Sequence, residues 1–231
     1  MENKTINLGM VSDVARALQE LNEKMVFVGG AVISVYTDDP AADEIRPTSD
    51  IDMTIKLATY SEWVNLEKRL LELKFAPNPD GHALCSFLYN KIEIDIMPSE
   101  PGALGDSNRW YEPGFESLQE IKIHGQTIRV LSAPYFIATK LEAFHSRGTD
   151  YRTSHDFEDV IYIIDNRTKI VKEVADADAA VKKYLKDEFT KILSNKNFPE
   201  IISAHIHPLM LEERMSIVTD KLKNMCDYEF Q

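Results

Sequence analysis

The sequence predicts an α+β fold, in which a mixed β-sheet flanked by helices is followed by a helical C-terminal sub-domain. Three observations carry this. Short β-rich runs alternate with helical patterns through residues 1–132. From Ala133 onward the apolar residues recur at helical spacing almost throughout. Two dipeptides, Asn90-Lys91 and His124-Gly125, each sit between alternating runs and mark tight hairpins. A chain of 231 residues with 44% hydrophobic and 28% charged side chains can bury a core, which excludes a disordered chain or a stapled mini-protein. The division expected is a core over residues 1–132 and a helical sub-domain over residues 133–231.

Taken in order, Leu8, Val11, Val14, Leu18 and Leu21 keep helical period. Met25–Val28 is a short strand ending in Gly29-Gly30, and Ala31–Tyr36 reads as a short helix. Ile51–Ile55 alternates as a strand does. Ser61 is placed to cap a helix through Trp63, Leu66, Leu70 and Leu73. Leu84–Tyr89 pairs with Ile92–Ile96, and Gln119–His124 with Thr127–Leu131. Pro134 suits a helix start, because a proline at the first helical position gives up no hydrogen bond, and Phe136–His145 follows it. Ser146–Ser154 is a polar loop, and Thr153 or Ser154 caps a helix through Val160 and Ile164. Val171–Ser194 and Pro208–Met225 complete the helical part.

The formal net charge of −12 excludes broad electrostatic coating of nucleic acid, although not a small local site. Residues 1–135 carry 12 Lys and Arg against 21 Asp and Glu, so most of the acidity lies there. Cys85 and Cys226 form no Cys-x-x-Cys pair and fit ordinary thiols in a reducing compartment. The N-terminus lacks a basic and then apolar leader, and no apolar run reaches the roughly 18 residues of a membrane span, so a cytoplasmic location and no membrane partner are expected. Trp63 and Trp110 read as packing residues, and His205 and His207 as surface histidines.

The chemistry concentrates in Gly29-Gly30 and in Arg46-Pro47-Thr48-Ser49-Asp50-Ile51-Asp52. Residues two apart on a strand share a face, so Asp50 and Asp52 project together while Ile51 and Met53 face the core. Side-by-side carboxylates repel unless a divalent cation sits between them, and hard oxygen donors suit Mg²⁺. Glycines at a strand-to-helix turn let backbone N–H groups approach a phosphate. In Lys91-Ile92-Glu93-Ile94-Asp95-Ile96 the isoleucines form one face, and Asp95 on the other can complete a three-carboxylate cluster able to hold two Mg²⁺ ions. Further on, Lys140 and Arg147 are candidate phosphate-binding cations. Asp156 and Asp159 share a helix face, where they either hold those cations in place or reach the nucleotide.

The Gly-Gly pair, the Arg-x-Thr-x-Asp-Ile-Asp run and the strand with a further Asp resemble the nucleotidyltransferase superfamily. The gap between Gly30 and Asp50 is longer than in the commonest form of that motif and resembles the AbiEii-like branch, the nucleotidyltransferase toxins of type IV toxin–antitoxin systems. The block from Ser132-Ala133-Pro134 through Lys140-Leu141-Glu142-Ala143, followed by Arg147 and by Asp156 and Asp159, is similar to that family's second signature. The resemblance covers about residues 25–165, and no motif is assigned to the last 65 or so. It implies a nucleotidyltransferase-like sheet and transfer of NMP from an NTP to an acceptor hydroxyl, with the tRNA 3′ end as acceptor and a cognate antitoxin as partner. Site residues so implied are Asp50, Asp52 and Asp95 for metal and catalysis, Lys140 in a catalytic role, and Gly29, Gly30, Ser49, Lys140, Arg147, Asp156 and Asp159 for the nucleotide. Two other readings stand beside it: the same transfer to a protein or small-molecule hydroxyl, and a non-catalytic nucleotide-binding module.

Overall fold

The computed structural model describes residues 2–57, 59–81, 85–102, 106–148 and 150–227. The chain divides into two compact units, one of Met1–Val35 with Glu44–Ser132 and the other of Tyr36–Asp43 with Ala133–Gln231.

The first unit opens with helix α1 (Glu2–Leu18), which buries Val11, Val14, Ala15 and Leu18. Its first turn is closed by a distant carboxylate: the Glu2 and Asn3 backbone N–H groups donate to Glu44 at 3.2 and 2.8 Å. A 3₁₀ turn at Gln19–Glu23 leads into strand β1 (Met25–Val28), every residue of which is buried. The short helix expected at Ala31–Tyr36 is a 3₁₀ helix, Gly30–Tyr36. Strand β2 (Asp50–Ile55) precedes α2 (Tyr60–Glu72). The cap of α2 is Thr59 rather than Ser61: its hydroxyl accepts from the Glu62 N–H while the Glu62 carboxylate accepts from the Thr59 N–H, closing a capping box.

Strands β3 (Ala76–Pro77), β4 (Ser86–Tyr89) and β5 (Ile92–Pro98), the short helix α3 (Tyr111–Gly114), and strands β6 (Gln119–Ile123) and β7 (Gln126–Val130) complete the unit. Leu84, the expected start of β4, lies outside the described residues. The described strands form one sheet in the order β3-β4-β5-β2-β1-β7-β6. Pairs β2–β5 and β1–β7 are parallel and the others antiparallel. Both expected hairpin dipeptides turn with two positive φ angles, 48° and 70° at Asn90 and Lys91, 46° and 84° at His124 and Gly125. That geometry matches the right-handed twist of the strands it joins. Ile51, Met53, Phe87, Ile94 and Ile96 are at most 2% exposed. They alternate with the polar residues of the same strands, as a sheet with one buried face requires.

The second unit holds α4 (Ala133–Arg147), α5 (His155–Asn166), α6 (Ile170–Ala175), α7 (Ala179–Leu193), α8 (Phe198–Ser203) and α9 (Leu211–Asp227), the last preceded by a 3₁₀ turn at Pro208–Met210. Phe136, Leu141, Phe157, Val160, Leu185, Phe189, Val218 and Leu222 are fully buried in it. Ser154 caps α5 by accepting from the Phe157 N–H at 3.3 Å. The helix expected over Val171–Ser194 is two helices. Asp178 leaves the helical conformation at ψ 145°, between Ala175 and Ala179, and its carboxylate accepts the Tyr135 hydroxyl at 2.9 Å. Burial and that carboxylate push the Tyr135 hydroxyl up to about 12. His205, expected at the surface, is half-buried: its Nε2 lies 2.7 Å from the Tyr151 carbonyl, and its ring meets Phe157 edge-on at 5.4 Å.

Residues 36–43 form a strap within this unit, although they sit between β1 and β2 in the chain. The Asp38 and Asp39 N–H groups both donate to the Asn166 carbonyl at 3.1 Å. Arg167 donates to the Tyr36 carbonyl at 2.7 Å, Thr168 donates its N–H and hydroxyl to the Asp38 carboxylate, and Arg214 donates to Asp39 at 2.7 Å. The Tyr36 ring, fully buried, lies 4.4 Å from that of Phe136. The Ala41 N–H and the Arg214 guanidinium hold the Asp39 carboxyl below the usual carboxylate range. A carboxyl lowered in the folded state contributes stability above its unfolded pKa of about 4 and loses it as pH falls further. Asp39→Asn is therefore expected to destabilise the helical unit by about 1–2 kcal/mol at pH 7. Urea unfolding should show that deficit shrinking below about pH 4, with faster amide exchange in residues 36–43.

Candidate active site

Gly29 ends β1 at φ +71°, and a Cβ built on it would lie 1.9 Å from the Asp52 Oδ2. Both facts require glycine: the conformation is left-handed, and the space is occupied by the carboxylate. At Gly30 a Cβ would lie 3.0 Å from an Arg46 Nη and 3.6 Å from the Thr48 Oγ1, so the segment before β2 lies against the turn. The Thr48 hydroxyl donates to the Asp50 carboxylate. Ser49, between them, is exposed.

The parallel register of β2 and β5 sets Asp52 opposite Asp95 and Asp50 opposite Glu93, while Ile51 faces Ile94 and Met53 faces Ile96. Opposite residues on neighbouring strands share a face. Asp50, Asp52 and Asp95 thus stand on one face, each half-buried, with Glu93 more exposed at its margin. Ser86 of β4 is the antiparallel partner of Asp95. Burial, and then the charge of Asp95, push the neighbouring Cys85 thiol up. The structure therefore places Asp50, Asp52 and Asp95 on one sheet face, with the Gly29-Gly30 turn against Asp52. It adds Arg46 and Thr48, which belong to the same motif but carry no assigned role in the sequence reading. Their spacing ahead of Asp50 is the signal that points to them.

The donor set fits a hard divalent cation in kind, since all its candidate ligands are carboxylate oxygens on one sheet face. Among the described residues, however, no three His, Cys, Asp or Glu side chains stand close enough to enclose an ion.

Within the helical unit Lys140, Arg147, Asp156 and Asp159 also come together. The Lys140 ammonium, its side chain 8% exposed, lies 2.7 Å from Asp159 and 3.2 Å from Asp156. Arg147, largely exposed, reaches Asp156 at 3.0 Å. Of the two roles open to the aspartates, holding the cations is the one displayed. Asp159 is 2% exposed, so removing its counter-charge would strand a buried carboxylate. Lys140→Met is expected to cost about 3–5 kcal/mol of stability in urea unfolding, with part recovered by adding Asp159→Asn.

The family model described as "Nucleotidyl transferase AbiEii toxin, Type IV TA system" matches residues 86–229, more than half of the chain. The chain belongs to the AbiEii family of nucleotidyltransferase toxins. The match begins at β4, includes Asp95 and continues to the end of α9. It thus extends well beyond residue 165, where the recognised motifs stop, while Gly29, Gly30, Asp50 and Asp52 precede it. Among solved structures, an antigenic nucleotidyltransferase-like protein from Paracoccidioides brasiliensis is similar, with a TM-score of 0.52 and 17% identity over 90% of this chain and 96% of that one. JHP933 from Helicobacter pylori matches with a TM-score of 0.45 and 14% identity over 93% of this chain and 90% of that one. At such identities the likeness is one of fold. No curated protein sequence matches. No helix among the described residues is long and apolar enough to cross a membrane.

Proposed function

We propose that this nucleotidyltransferase moves a nucleoside monophosphate from an NTP to an acceptor hydroxyl in a Mg²⁺-dependent reaction, with the tRNA 3′ end as acceptor. The observation that supports this most is the register pair Asp52–Asp95 beside a glycine turn that has room only for the Asp52 carboxylate. Asp50, Asp52 and Asp95 are the residues that would hold Mg²⁺, two ions in the full arrangement. When bound, the metal neutralises phosphate charge and the mutual repulsion of the three acids.

The chain's own residues supply the remainder. The Gly29-Gly30 turn offers backbone N–H groups to phosphate oxygens, with Ser49 beside Asp50 as a further donor. Asp95 orients the acceptor hydroxyl and takes its proton as the oxygen attacks the α-phosphorus. The new P–O bond forms as the bond to the leaving pyrophosphate breaks. Lys140 and Arg147, set by Asp156 and Asp159, carry the phosphate-binding role that the family signature implies. The net charge of −12 suits a brief, end-directed RNA contact better than a long electrostatic footprint. Its acidity also suits a basic antitoxin partner, and action in the cytoplasm follows from a tRNA acceptor.

The test is incubation of the protein with each labelled NTP, Mg²⁺ and total tRNA. Label should appear in tRNA and vanish with EDTA, and Asp95→Asn should lower transfer by on the order of 10²-fold or more. Absence of label with all four NTPs, or equal transfer by Asp52→Ala, would refute nucleotidyl transfer by this site. RNase-resistant label in protein or small-molecule fractions of a lysate would instead identify a different acceptor.

A further inference from the structure

We infer that Thr48 is a positioning residue that fixes the orientation of the Asp50 carboxylate for binding a divalent cation; this rests on the reading of Asp50 as a metal ligand. The Thr48 hydroxyl donates to one oxygen of the Asp50 carboxylate. The bond takes one of the carboxylate's lone pairs and holds its plane, leaving the others for a cation.

The hydroxyl is itself constrained. Its oxygen lies 3.6 Å from where a Cβ on Gly30 would stand, at van der Waals contact with the glycine turn. Thr48 is β-branched, which restricts χ1 and aims the hydroxyl more narrowly than serine does. Asp50 needs such restraint. It begins β2, two residues from Asp52 on the same face and directly opposite Glu93. Like charges in those positions repel. An O–H donor bound to a carboxylate oxygen holds its orientation against that repulsion and spreads some of its charge. Hydrogen-bond partners behind a metal ligand commonly affect metal affinity or activity by about 10–100-fold.

Thr48→Val removes the hydroxyl at nearly constant shape. Titration of the full-length protein with Mn²⁺ alone, followed by electron paramagnetic resonance, should show affinity weakened by about tenfold or more, with the melting temperature close to that of wild type. Thr48→Ser should recover most of that affinity. In an Asp50→Asn background the same Thr48→Val change should add no further loss, because the effect runs through Asp50. Transfer assays should show the Mg²⁺ requirement of Thr48→Val shifted upward, with the KM for NTP at saturating Mg²⁺ little changed. If wild type binds Mn²⁺ and transfers label while Thr48→Val matches it in both, Thr48 has no positioning role and the nucleotidyl-transfer reading stands. A loss that persists undiminished in the Asp50→Asn background would likewise remove the positioning role. If wild type neither binds Mn²⁺ nor transfers label, the reading of Asp50 as a ligand falls, and the inference with it.

Discussion

Three carboxylates on one face of a sheet repel each other, and the fold has to hold them there. It does so from the opposite face. Ile51 lies beside Ile94 and Met53 beside Ile96, all fully buried, and the pairing that joins these apolar residues also sets Asp52 against Asp95. Each fully buried aliphatic side chain contributes about 1.5–3 kcal/mol. That gain offsets the repulsion of half-exposed acids, which water screens in part. Slipping the register by one residue would turn the isoleucines outward and the acids inward, so the core enforces the geometry of the site. Gly29 adds a steric condition, because the Asp52 carboxylate occupies the volume that any larger residue would need.

The helical unit handles charge differently. Lys140 is buried, and its ammonium is matched by two aspartates. A buried cation with two carboxylate partners and an exposed arginine at the edge makes a nearly neutral group. Such a group can be retained inside a helical core, where an unpaired lysine would lose its proton or unfold its surroundings. The sheet acids stand half-exposed instead, where water or a cation can reach them.

Much of this is legible in the sequence, because strand alternation and turn chemistry are local. Ile51–Ile55, the acids of β2 and β5, and the Asn90-Lys91 and His124-Gly125 turns can all be read from neighbours two to four residues away. The departures arise where distant partners decide. At the break between α6 and α7, Asp178 is met by the Tyr135 hydroxyl from 43 residues back, a contact that a helical period cannot register. His205 is drawn inward by the Tyr151 carbonyl, 54 residues back in the chain. The cap of α2 is a different case, since the Glu62 that makes Thr59 and not Ser61 the cap stands only three residues on, within reach of a local reading. In the site, the acids are conspicuous by their spacing. Arg46 and Thr48 stand at fixed spacing in the same motif, but what they contribute appears only once the chain folds back over Gly30. The long interval between Gly30 and Asp50, unusual in the sequence only for its length, contains the strap anchored on Asn166, Arg167, Thr168 and Arg214.

That strap has a consequence for how the protein is made. Residues 36–43 precede their hydrogen-bonding partners in the chain, and the last of these, Arg214, stands 175 residues after Asp39. The helical unit therefore cannot reach its final packing until α9 has been synthesised, and closing so long a loop carries an entropic cost before any contact compensates it. For a protein of a toxin family this delays completion rather than initiation. A truncated product lacking α9 would still display the acids of the sheet but would leave Asp39 without Arg214. The strap thus ties the finished state of the helical unit to the presence of α9.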